Sequence, residues 1–63
     1  MKVIDLIKLY PRYTSVKISS MSDTGIITDY AKKLLDSENF VLEKEVYVSD
    51  YNRNRNFLLI VIS

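Results

Sequence analysis

The chain has 63 residues, with nine Lys and Arg against eight Asp and Glu, no His and no Cys, for a net charge of +1. So short a chain has room for one domain and one core, and residues 1–63 read as a single unit. The composition excludes disulfides and thiolate metal sites and lacks the commonest general base; it gives no whole-molecule field that would steer the chain to nucleic acid or an acidic membrane.

Residues 2–10 are predicted to form a short helix, because Val3, Leu6, Ile7 and Tyr10 recur at helical spacing while Lys2, Asp5 and Lys8 share the other side. Pro11 ends it, since the residue before a proline is pushed out of the helical region. Ile4 and Leu9 widen the apolar stripe. Asp5 and Lys8 interrupt the segment too early for a signal-peptide core or a membrane span.

Residues 14–20 alternate, with Val16 and Ile18 on one face and Ser15, Lys17 and Ser19 on the other, as in a one-sided strand. Met21 to Gly25 is a turn by composition, with Gly25 suited to a positive φ. Residues 26–30 read either as a short second strand pairing back on the first or as the start of a helix capped by Thr28. A helix is expected from about Asp29 to Ser37, with Asp29 in its first turn, and then Phe40, Val41 and Leu42 lead into the core.

Residues 43–50 form a predicted strand with Val46 and Val48 on one face and Glu45, Tyr47 and Ser49 on the other. Tyr51 to Asn56 is a turn by composition. Phe57-Leu58-Leu59-Ile60-Val61-Ile62 is then a strand apolar on both faces. Such a strand is expected in the middle of a sheet, with self-association a live prospect if the chain cannot cover both faces. The fold class that follows is α+β: two short helices on a three- to four-stranded, mainly antiparallel sheet, in the order helix, strand, short strand, helix, strand, strand.

Three constellations stand out. Arg53-Asn54-Arg55 forms a hairpin tip that can meet carboxylates on a protein or phosphates of a nucleic acid, or serve simply as a soluble turn. Two guanidiniums are a small footprint beside the roughly 6–10 phosphate contacts of a typical DNA-binding protein. Five tyrosines offer contact area or cap the margins of the core, and Tyr47 and Tyr51 share a strand parity on which Arg53 would follow. Glu43 and Glu45 fall on one face of the predicted strand, where they could hold a hard cation or form a solvated edge. No His or Cys is present to activate a nucleophile, and a single Gly cannot make a phosphate loop, so no catalytic residue, metal site or cofactor is assigned.

The run Val3-Ile4-Asp5-Leu6-Ile7-Lys8, Pro11, Thr14 to Ile18, Gly25-Ile26-Ile27, Leu34-Leu35-Asp36 and Lys44-Glu45-Val46 resembles small proteins encoded by phages and prophages of Gram-positive bacteria. These include anti-CRISPR and other anti-defence proteins, one of which opens with an Asp-Leu-Ile helix running into a Tyr-Thr-x-Val-Lys strand, like Tyr13 to Lys17 here. This resemblance implies a protein that docks on a host or phage protein and inhibits a defence system; the missing catalytic residue types make it non-enzymatic, and the absence of Cys fits the host cytoplasm. The sequence lacks the long acidic surface of nucleic-acid mimics. The expected contact residues are Tyr47, Tyr51, Arg53, Asn54 and Arg55, the expected assembly is a homodimer, and the alternative is a small nucleic-acid-binding module built on the Arg53/Arg55 tip.

Overall fold

The computed structural model describes residues 1–22 and 26–63, so the expected positive φ at Gly25 lies outside the described residues. The elements are helix α1 (Val3–Ile7), strand β1 (Ser15–Ser20), strand β2 (Ile26–Tyr30), helix α2 (Ala31–Ser37), a 3-10 turn (Phe40–Glu43), strand β3 (Val46–Asn52) and strand β4 (Phe57–Ile62). One four-stranded sheet has the order β2-β1-β4-β3. β1 pairs antiparallel with β2, β3 antiparallel with β4, and β1 parallel with β4. The chain is thus α+β with a mixed sheet, and the most apolar strand is central.

The strand alternation decides the core. Val16, Ile18, Leu58, Ile60 and Ile62 are buried on one face of the sheet beneath Val3, Leu6 and Ile7 of α1, Ala31 and Leu34 of α2, and Val41 and Leu42 of the 3-10 turn. The opposite face carries Ser15, Lys17 and Ser19 of β1 and Phe57, Leu59 and Val61 of β4, all half-buried, and no helix among the described residues covers it.

Both helices are shorter than their periodicity predicts, for identifiable reasons. Beyond Ile7 the bonding tightens, with the Leu9 N–H on the Leu6 carbonyl and the Tyr10 N–H on the Ile7 carbonyl. Three residues per turn rotate Leu9 off the apolar stripe into solvent, where it is 69% exposed. At α2 the expected first-turn Asp29 lies instead in β2, opposite Val16, because strand pairing continues to Tyr30, opposite Ser15. The first two helical N–H groups, of Ala31 and Lys32, donate to the carbonyls of Thr14 and Arg12. The loop before β1 therefore satisfies the helix start in place of a side-chain cap, and residues 26–30 resolve as strand.

α2 stops at Glu38, which holds a left-handed conformation (φ 55°, ψ 25°) with its side chain exposed. A side chain with a Cβ is strained there, and glycine is not. Glu38→Gly is therefore expected to raise stability by about 0.5–1 kcal/mol, read as a higher urea midpoint at unchanged slope.

Two corrections concern β3. It begins at Val46 and runs through Tyr51 and Asn52, which sequence composition assigned to the turn. A bulge between Val46 and Val48 sets Val46 opposite Ile62 but Val48 opposite Val61. The extra residue breaks the alternation, so Val46 and Val48 lie on opposite faces rather than one.

Candidate binding site at the hairpin end of the sheet

The turn after β3 is held by short polar side chains. The Asn52 carboxamide oxygen accepts the Arg55 N–H at 3.2 Å, and Asn56 takes a positive φ of 49° that Asn tolerates better than most residues. Asn56 then ties the tip to the rest of the fold. Its Oδ1 accepts the Thr14 hydroxyl at 2.9 Å and the Tyr51 hydroxyl at 2.8 Å, and its carbonyl accepts the Ser15 N–H at 3.0 Å. Thr14 is fully buried, so its hydroxyl depends on that acceptor. Arg53, Asn54 and Arg55 project from this braced base into solvent.

The topology brings three more cations to the same end. Parallel pairing sets the start of β1 beside the start of β4, and the Lys32 N–H to Arg12 carbonyl bond, 2.8 Å, fastens the start of α2 to the loop before β1. Arg12, Lys32, Lys33, Arg53 and Arg55 are all exposed there, five of the chain's nine Lys and Arg. Asp29, near the end of β2, is half-buried, and its Oδ1 accepts the Tyr30 N–H at 2.8 Å. Tyr13 and Tyr30 meet edge to face at 6.4 Å beside these cations, both exposed.

The expected contact residues divide. Arg53, Asn54 and Arg55 sit together on the tip. Tyr51 faces the core side, half-buried, with its ring 4.6 Å from that of Tyr10 and its hydroxyl on Asn56. Tyr47 is 66% exposed but stands at the bulge, at the far end of β3 from the arginines. Tyr47 falls in the bulge and pairs with no β4 residue, and Arg53 lies in the turn beyond β3, so strand parity does not bring the three together. Sequence reading missed Arg12, Lys32 and Lys33. The Lys32-Lys33 pair was visible as a basic doublet, but its place beside the tip follows only from the β1 to β4 pairing.

The opposite end balances the charge. Lys2 Nζ lies 3.0 Å from Glu43 Oε2, and the α-amino group of Met1 lies 2.9 Å from Glu45 Oε2. The hydrogen bond that Lys2 donates to Glu43, together with the Glu43 charge, raises the Lys2 pKa above its ordinary value. Glu43 belongs to the 3-10 turn and Glu45 to an isolated bridge with Lys2, so the two do not share a strand face as the sequence suggested. Among the described residues no group of three or more Asp, Glu, His or Cys side chains could hold a metal ion.

At this end too a cleft of about 330 Å³ opens between the sheet and the 3-10 turn, lined by Ile18, Ser20, Ile27, Phe40, Val41 and Ile62 among others. None of the expected contact residues lines it. No helix among the described residues is long and apolar enough to cross a membrane. Comparison of the chain with protein-family models, curated proteins and solved structures finds no match.

Proposed function

We propose that this chain is a non-enzymatic binding protein whose hairpin end grips an anionic partner, and that the partner is a single-stranded nucleic acid. The observation that carries this reading is the gathering of Arg12, Lys32, Lys33, Arg53 and Arg55 at one end of a chain with a net charge of only +1. The two arginines seen in sequence are too few for a polyanion; five cations approach the roughly 6–10 phosphate contacts of a typical DNA-binding protein. The exposed rings of Tyr13 and Tyr30 beside Arg12 suit stacking on unpaired bases, and Asn54 adds a donor and an acceptor at the tip.

Titration of a labelled single-stranded oligonucleotide at rising salt tests it. Neutralising five phosphates predicts a slope of log K against log salt of about −3.5, and Arg53→Ala with Arg55→Ala makes it shallower by about 1.4. No binding at low salt overturns the reading.

A second reading follows from the resemblance: a phage-type protein that docks on an acidic face of a host or phage protein in the cytoplasm and blocks a defence system such as CRISPR-Cas. The specific observation favouring it is tyrosine beside arginine at an exposed end, the pairing that dominates protein interfaces. Indifference to oligonucleotides, with Arg53- and Arg55-dependent inhibition of a defence nuclease, would decide for it. Under either reading we propose that the chain works as a homodimer.

A further inference from the structure

We infer that the bare face of the sheet is the dimer surface, and that two copies pack on it face to face about a two-fold axis running along β4. This rests on the homodimer reading above and is independent of what the hairpin end binds.

The strand register supplies the observation. On the bare face β4 presents Phe57, Leu59 and Val61, with β1 on one side and β3 on the other. Three rows therefore cross the face from β1 to β3: Ser15–Phe57–Asn52, Lys17–Leu59–Asp50 and Ser19–Val61–Val48. The middle row reads cation, apolar, anion. Turned about β4, the β1-to-β3 part of each row falls on its own reverse, and the β2 residues of the same face, Ile26, Thr28 and Tyr30, lie outside the contact. Leu59 meets the second copy's Leu59, Lys17 faces the second copy's Asp50, and Asp50 faces the second copy's Lys17.

The flanking rows agree. Phe57 and Val61 each meet their own counterpart, Ser15 meets Asn52, and Ser19 meets Val48. Sheets packed face to face lie about 10 Å apart, a gap that an extended lysine and an aspartate span together. Among the described residues neither Lys17 nor Asp50 has an ion-pair partner within the chain. A two-fold running across the strands instead sets Lys17 on Lys17 and Asp50 on Asp50. The pairing of Lys17 with Asp50 therefore favours the axis along β4, which also sets the two cationic hairpin ends side by side, a repulsion that salt screens, and the contact is self-complementary as a closed dimer requires. An apolar seam bounded by one cation and one anion, placed symmetrically about it, is the pattern of a surface that recognises itself.

Sedimentation across a concentration series tests this. The wild-type chain is expected to dimerise. Lys17→Asp and Asp50→Lys, each of which opposes like charges, are expected to weaken the dimer by about tenfold or more. The double swap, Lys17→Asp with Asp50→Lys, restores it. A wild-type chain still monomeric at about 1 mM, or single reversals that leave association unchanged, overturn the inference. Asp50 is exposed on β3, so Asp50→Lys reads the contact even if circular dichroism shows Lys17→Asp to be unfolded. An Asp50→Lys monomer that still binds the oligonucleotide, more tightly for its added positive charge, leaves the proposed function standing while it removes the dimer, which keeps the two failures apart.

Discussion

Ile60→Ala is expected to lose about 2–5 kcal/mol, against a total stability of about 3–9 kcal/mol for a domain of this length. Ile60 is fully buried in the central strand, with Ile18 beside it on β1 and Ser49 on β3. Strands hydrogen-bonded on both sides cannot close around the lost atoms, so the cavity term adds to the transfer term. The variant is expected to keep only a small part of its stability, with the urea midpoint as the readout. Leu59→Ala is the control. Leu59 is one residue away but on the bare face and half-buried, and in dilute monomer its loss is expected to be only about 1 kcal/mol. Equal losses would show that the two faces of β4 are equally covered and would contradict the placement of the helices.

Asn56→Ala is expected to cost about 2–4 kcal/mol, far more than a polar turn residue usually does. The change strips the acceptor from the buried Thr14 hydroxyl and from Tyr51, and leaves a Cβ-bearing residue without its carboxamide at positive φ. A ladder of variants separates these causes. Asn56→Gly relieves the backbone but not the lost acceptor, so it should recover only about 1 kcal/mol. Asn56→Asp retains an acceptor oxygen beside Arg53 and Arg55 and should recover most of the rest. If Gly recovers everything, the two hydroxyl bonds contribute nothing and the tip is held by its turn alone.

How far the sequence disclosed this fold depended on the range of the interactions. Alternation in Val16, Ile18 and the run from Phe57 to Ile62 was local and sufficient to place β1 and the central β4. The tightened end of α1 and the bulge after Val46 were not legible. The first arises from bonding ahead of Pro11, and the second leaves no mark in composition, though it reverses which face Val48 takes. The site was half visible for the same reason. Arg53-Asn54-Arg55 announced itself as a polar tip between two strands, whereas Arg12, Lys32 and Lys33 join it only through main-chain bonds between segments distant in sequence. Tyr51 was misgrouped because its role is to brace Asn56, a contact that no periodicity encodes.

The parallel pairing of β1 with β4 has a consequence for how the protein is made. Its partners Ser15 and Phe57 stand two-thirds of the chain apart, so Val16 and Ile18 have no β4 to lie against until residues 57–62 have been synthesised. During translation β1 can pair with β2 early, but its other edge stays open until β4 has been made, so the sheet is completed late. Abundance in the cell should accordingly respond more sharply to changes in the last strand than to comparable changes in either helix.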